Sequence, residues 1–226
     1  MEELESMEAA WDRMSVDYAE RLQMTPRDER FIALAAEIEP SAQPLSVLDL
    51  GCGLGFELDA IFERLPNAQV TAVDISEKML ARMMERLSPF AHQITSRYMS
   101  YVDLNEPMDT YDIAISSLTV HHLPHATKLD VFRKVIAALR PGGVYLECDE
   151  FASPAKEELG QRWFDKRVAH REGAERGDWN HNMMFTIEHE VAVLKEAGFV
   201  SVRAPWQDVD ADGTGMAVLV GTKPGA

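Results

Sequence analysis

The stretch "VLDLGCGLGF", residues 47–56, constrains this chain more than any other. An apolar run, Val47 to Leu50, gives way to Gly51, Gly53 and Gly55 and then to "FELDAIFERL", which has helical period. Strand, glycine loop and helix in that order open a βαβ unit. Glycines at the turn let a ligand approach the backbone, because no Cβ stands in its way. The dinucleotide spacing G-x-G-x-x-G is not met, since Phe56 stands where the third glycine belongs. Asp49, just before the glycines, suits a ligand carrying an ammonium group. Asp74 ends the next apolar run, "AQVTAVDI", about 20 residues past the loop, where an acid bonds ribose hydroxyls. A nucleoside with a cationic tail fits this pattern better than a pyrophosphate.

Strand and helix signals keep alternating. "SEKMLARMMERL" is expected to be a helix with Ser76 as N-cap and Glu77 in its first turn. "ITSRYMSYV" and "YDIAISSL" read as strands, "LDVFRKVIAALR" as a helix stopped at "RPGG", and "VYLECDEF" as a fifth strand. Thr186 can cap "IEHEVAVLKEAG", and "FVSVRAPW" and "GMAVLVGT" are joined by too short a turn for a crossover, so they pair antiparallel. The expected fold is a Rossmann-like, doubly wound α/β sheet of seven strands, mostly parallel with an antiparallel last strand. Residues 1–44 form an N-terminal helical cap, 45–153 the cofactor-binding core, 154–185 a helical insertion on the substrate side, and 186–226 the closing helix and strand pair.

"VLDLGCGLG", "VTAVDIS", "YVDLNEP", "YDIAISSLTVHHL" and "LRPGGVYLE" together resemble, in order, the successive motifs of the class I S-adenosylmethionine-dependent methyltransferases. The resemblance runs from about Leu45 to Glu150 and implies S-adenosylmethionine as cofactor. It implies that Asp49 and the backbone of Gly51, Cys52 and Gly53 hold the methionine moiety. Asp74 would take the ribose hydroxyls, with Ile75 against the adenine and Asp103 and Leu104 flanking its other side. Ser116 and Ser117 would line the sulfonium side, and Tyr18 would close over the methionine end. Part of the closing segment also resembles carboxy-S-adenosylmethionine synthases, which need an arginine for the extra carboxylate; Arg176 is the candidate. A cofactor-binding module without turnover is a further alternative.

A formal net charge of −16 argues against a nucleic-acid or anionic membrane partner, which would need clustered Lys and Arg. The expected partner is a small-molecule methyl acceptor. The N-terminus lacks the basic start and apolar run of a signal peptide, and two cysteines make no disulfide framework, so a cytoplasmic setting is expected. "DVDADG", residues 208–213, imitates half of a calcium loop, but its twelfth position is Leu219 and its flanks read as strands, so a solvated hairpin turn is expected. "RWFDKRVAHRE" reads either as a helix packing Trp163 and Phe164 on the sheet or as cover for the acceptor site, with Arg171, Arg176, Trp179 and His181 as candidate contacts.

"LTVHHLPH", residues 118–125, follows the fourth strand at the ligand-binding edge. Pro124 disfavours a regular helix joining His121 to His125, so no metal site is expected. Two roles stay open. One imidazole can shape the turn through a backbone bond, or His122, and less so His121, can act as base or orient the acceptor. His125 is expected at the helix entry.

Overall fold

The computed structural model describes residues 6–21, 25, 27–169 and 182–225. Its elements run α1 (Met7–Met14), α2 (Tyr18–Arg21), α3 (Glu29–Ala36), β1 (Ser46–Leu50), α4 (Phe56–Arg64), β2 (Gln69–Asp74) and α5 (Glu77–Arg86), then β3 (Ile94–Tyr98), β4 (Tyr111–Ser117), α6 (His125–Ala138), β5 (Leu139–Phe151), α7 (Pro154–Val168), α8 (Ile187–Ala197), β6 (Val200–Val209) and β7 (Gly215–Thr222). The seven strands form one sheet in the order β3-β2-β1-β4-β5-β7-β6, with β7 antiparallel to both neighbours. This is the Rossmann-like arrangement that the alternating pattern implies. The order reverses between β1 and β4, which opens a crevice at the carboxyl ends of the strands.

Period-two alternation sorts the strand side chains onto two buried faces. Val47, Val70, Ala72, Ile113 and Ile115 pack against α3, α4 and α5 through Phe31, Leu34, Leu58, Ile61, Met79 and Met83. Leu48, Leu50, Val73, Ala114 and Tyr145 pack against α6 and α8 through Phe132, Val135, Val193 and Leu194. Both faces are covered, which is why these strands are almost continuously apolar. Ser76 caps α5 by accepting from the Met79 amide at 3.1 Å, and Thr186 caps α8 by accepting from the His189 amide at 3.1 Å.

Three boundaries differ from the sequence reading. The third strand ends at Tyr98, not at Val102; Ser100 accepts from the Val102 amide and starts a 3-10 turn over Tyr101–Asp103. α6 begins at His125, four residues earlier than its apolar period shows, because Lys128 is buried in an ion pair with Glu190 of α8 at 2.6 Å. β5 begins at Leu139, ahead of "RPGG", with a register shift against β4 between Tyr111 and Ile113. α7 differs in packing: it buries none of its side chains, and Trp163 stands 55% exposed rather than packed on the sheet. Arg171, Arg176, Trp179 and His181 lie outside the described residues. "DVDADG" is the β6–β7 turn, closed by the Asp210 amide to the Thr214 carbonyl at 2.8 Å. Among the described residues no helix is long and apolar enough to cross a membrane.

Candidate active site

The glycine loop is pinned to β2. The Gly51 and Cys52 amides donate to the Val73 carbonyl at 2.8 and 3.1 Å, and the Gly53 amide donates to Asp74 Oδ2 at 2.8 Å. Gly51 has φ +64°, and a Cβ there would lie 2.2 Å from Thr119 Oγ1. At Gly53, φ is +49° and a Cβ would meet no atom within 4 Å, so its bare backbone faces open space. Arg86 braces the loop from α5. It donates to the Leu54 and Gly55 carbonyls, pairs with Asp59 and lies over the Phe56 ring at 4.7 Å.

A cleft runs over this loop, and its wall includes Gly51, Cys52, Gly53, Glu57, Asp74, Ile75 and Ser117. Beneath it lies Asp49, fully buried, on the same sheet face as Val47. No described donor reaches either Asp49 oxygen or Oε1 of buried Glu57. Burial, and after it the neighbouring Glu57, raises Asp49 well above the usual carboxylate range. Burial likewise pushes Glu57 up to about 7. Asp74 is pushed up to about 6 by burial, against the bonds it accepts from the Ser76 and Gly53 amides. Burial raises the Cys52 thiol too, which leaves it inert as a nucleophile.

These features fit S-adenosylmethionine. Buried carboxyl oxygens without donors await a cation, an open backbone cradle lies at Gly53, and an acid stands at the end of β2. Several sequence-derived residues meet here: Asp49 below the floor, and Gly51, Cys52, Gly53, Asp74, Ile75, Ser117 and Tyr18 on the wall. Three do not. Ser116 lies one residue off in the alternation and faces the opposite side, where its hydroxyl meets the Tyr145 hydroxyl at 2.7 Å. Asp103 is exposed at the end of its 3-10 turn, and Leu104 is buried in the core on the α6 side. Tyr101 reaches the wall from that turn instead, bonding Thr119. Met7, Trp11, Glu57 and Thr119 also line the cleft and carry no motif signal, although the Trp11 ring meets that of Tyr18 at 5.2 Å.

A second cleft adjoins the first, sharing Trp11, Tyr18 and Leu118 with it. Its other walls include Arg30, His121, His122, Glu150 and Arg167. Leu118 turns the chain off β4 with φ +52°, an uncommon conformation for a residue with a Cβ, and its amide donates to the Cys148 carbonyl at 2.9 Å. The chain then enters a 3-10 turn over Val120–His122. The His121 amide donates to Asp149 Oδ2 at 3.0 Å, and its Nδ1 meets Asp149 Oδ1 at 2.5 Å. Burial alone would lower the His121 pKa, but the Asp149 carboxylate overcomes it and the net direction is up. Asp149, at the end of β5, is fully buried; burial would raise it, yet His121 holds it below the usual range.

The His122 ring packs between the edge of Trp11 at 5.5 Å and the His121 ring at 4.0 Å. His125 turns away to His189, Nδ1 to Nε2 at 3.0 Å. The histidines therefore point to three different partners rather than to one centre.

A mostly parallel sheet with its ligand crevice at the β1–β4 switch point, a glycine cradle and an acid on β2 define a nucleoside-binding Rossmann-like protein. Residues 47–143 match the family described as "Methyltransferase domain", and over that span the chain carries a class I S-adenosylmethionine-dependent methyltransferase domain. It is similar to a carboxy-S-adenosyl-L-methionine synthase of Aeromonas salmonicida, 26% identical over 171 residues, which are 70% of this chain and 69% of that protein. It is also similar to a trans-aconitate 2-methyltransferase of Streptomyces avermitilis, 28% identical over 178 residues, 77% and 61% of the two chains. The chain spans half or less of the length of several further curated relatives. Its fold matches Haemonchus contortus phosphoethanolamine N-methyltransferase 2, solved with phosphomonomethylethanolamine and S-adenosylhomocysteine, with TM-score 0.73 at 16% identity, covering 98% of this chain and 61% of that one.

Proposed function

We propose that this protein transfers the methyl group of S-adenosylmethionine to a small-molecule acceptor seated in the second cleft, and that His121, held by Asp149, is the base. The observation that carries this reading is the buried His121–Asp149 pair on the wall of a cleft that opens into the cofactor cleft. Asp49 and Glu57 would hold the cofactor's ammonium, the glycine loop its methionine backbone, and Asp74 its ribose. When bound, the cofactor supplies a methyl group already activated for in-line displacement.

The rest of the work belongs to the chain. Asp149 fixes the tautomer and the ring orientation by accepting a hydrogen bond from Nδ1–H, which leaves Nε2 as the basic nitrogen. An acceptor hydroxyl or ammonium must shed a proton as it gains a methyl group, and Nε2 accepts it. Asp149 then stabilises the imidazolium it faces. Trp11, Tyr18 and Leu118 stand where the two clefts join and keep water from the line of transfer.

Methyl transfer from labelled cofactor to a panel of hydroxyl- and amine-bearing metabolites tests the proposal. His121→Ala is expected to lower turnover on any accepted compound by about 100-fold or more, with affinity for S-adenosylhomocysteine unchanged. Full turnover in that variant would remove the base from the mechanism.

A second reading is carboxy-S-adenosylmethionine synthesis, favoured by the match to such a synthase across most of both chains. Arg30 and Arg167 in the second cleft could hold the carboxylate that this reaction requires. Native mass spectrometry of the ligand retained on purification separates the two: a carboxylated cofactor supports synthesis, S-adenosylhomocysteine or S-adenosylmethionine supports methyl transfer.

A further inference from the structure

We infer that Asp49 and Glu57 form a proton-exchanging receptor for the cofactor's ammonium: without cofactor the two carboxyls hold one proton between them, and the entering ammonium expels it to solvent. The inference rests on S-adenosylmethionine as the ligand of this cleft. It adds to that reading a proton exchanged in the binding step.

The geometry is that of two acids without a base. Asp49 lies near the end of β1 and Glu57 in the first turn of α4 on the cleft wall, both at most 4% exposed, and each carboxyl acts on the other's ionisation. No described N–H or O–H reaches Asp49 Oδ1, Asp49 Oδ2 or Glu57 Oε1. Two neighbouring carboxylates out of water repel strongly, so they bond only with a proton between them. The charged groups packed around them do not relieve this. Asp74 on β2 and Asp59 on α4 add negative charge. Arg86 on α5 lowers Glu57 in part, but its guanidinium is engaged by Asp59 and the Leu54 and Gly55 carbonyls. Cys52 in the loop and Tyr18 in the cap are uncharged groups whose own ionisation this cluster opposes. Burial raises both carboxyls, so the pair keeps a proton as pH falls below neutral.

The exchange balances simply. One carboxylic O–H ionises, its proton leaves to water, and the ammonium takes its place between two carboxylates. No redox step or co-reactant is involved. Because protons are released on binding, affinity falls as pH falls, by about tenfold per unit once the pair is protonated.

S-adenosylhomocysteine keeps the ammonium and is the probe. At pH 6.5 its amine is already charged and gives up no proton of its own. Isothermal titration in two buffers of different ionisation enthalpy counts the protons released. Wild type is expected to release most of one proton per ligand, and methylthioadenosine, which lacks the amino-acid tail, none. Glu57→Gln, similar in volume, leaves Asp49 the only carboxyl of the pair and is expected to release fewer protons than wild type on binding S-adenosylhomocysteine, with a shallower fall in affinity from pH 7.5 to 5.5. Asp49→Asn is expected to lose affinity for S-adenosylhomocysteine but not for methylthioadenosine, which also reports that the cleft is folded. Wild-type binding without proton release, or unchanged release in Glu57→Gln, overturns this inference alone. No binding of S-adenosylhomocysteine by folded wild type overturns the cofactor assignment and this inference with it.

Discussion

Asp149→Asn isolates what the carboxylate does for His121. Asparagine is isosteric, and its carbonyl can still accept the His121 amide now bonded to Oδ2 at 3.0 Å. Its amide group then faces Nδ1, where Oδ1 sat at 2.5 Å, and offers a proton instead of accepting one. The imidazole must present Nδ1 as acceptor, so its proton moves to Nε2, the atom needed as base. Two magnitudes follow. Without the anion, burial is the remaining large influence on His121 and pulls its pKa from above 6.5 to below it. The lost charge-assisted bond costs roughly 1.5–3 kcal/mol. At about 2–4 °C per kcal/mol for a chain of this size, melting drops by roughly 3–12 °C. That loss depends on pH. His121 titrates above its ordinary 6.5 and Asp149 below its ordinary 3.8, so the pair contributes fully between those values. Its contribution fades as pH rises through the folded histidine value or falls through the folded aspartate value. Nitrogen-detected NMR of the imidazole gives pKa and tautomer, and thermal melts at pH 5.5 and 8.5 give the linkage. A wild-type His121 that titrates below 6.5, or an Nδ1–H tautomer surviving in Asp149→Asn, would refute the reasoning.

Gly51→Ala meets Thr119 Oγ1 at 2.2 Å and a φ of +64°; about 1–3 kcal/mol of backbone strain is expected, and affinity for S-adenosylhomocysteine should fall at least tenfold by calorimetry, with Thr119→Ala restoring only part of it. Because burial raises Asp49, Glu57 and Asp74 in the folded state, the ligand-free protein binds more protons folded than unfolded. Its stability should therefore fall as pH rises from about 4.5 through about 7, by on the order of 3 kcal/mol for Glu57 alone. Urea unfolding at pH 5 and 7.5 measures the fall, and saturating S-adenosylhomocysteine should diminish it. His122→Ala removes a ring packed on Trp11, so it should weaken retention in both clefts by a few-fold, seen in dissociation rates, without moving the His121 pKa; a large loss of turnover at unchanged affinity would restore His122 as the base.

The fold and the cofactor side were largely legible in the sequence because local rules determine them. Glycines and an acid at fixed distances along one βαβ unit need no distant residue to be recognised, and Ser76 and Thr186 announce their helices by their own capping chemistry. Ser116, Asp103 and Leu104 fall outside the cleft wall, where strand phase and a 3-10 turn decide rather than residue type. Ser116 and Ser117 are chemically alike, and only the phase of β4 sends one to the cleft and the other to Tyr145. Glu57 went unnoticed because an acid in the first turn of a helix is ordinary. Its burial beside Asp49, which makes it unusual, depends on how α4 lies over β1.

The acceptor side could not be read in the same way, since its chemistry is set by partners far apart in the chain. Two adjacent histidines present the same residue type, and the sequence reading places His122 ahead of His121 because nothing local marks His121. The preference for His121 arises from Asp149, 28 residues on, buried at the end of β5 and bonded to both the amide and the ring of His121. The same 3-10 turn swings His122 toward Trp11 of the N-terminal cap. One imidazole thus gains a carboxylate that raises its basicity, and the other packs its ring on an aromatic wall. Asp149 itself looked like part of an acidic strand ending, "ECDEF", indistinguishable from Glu147 and Glu150. Their partners tell these three acids apart: Glu147 is buried beside Tyr145, Glu150 is exposed on the second cleft, and Asp149 is buried against His121. The base is therefore better sought from the buried carboxylate outward than from the histidine pair inward.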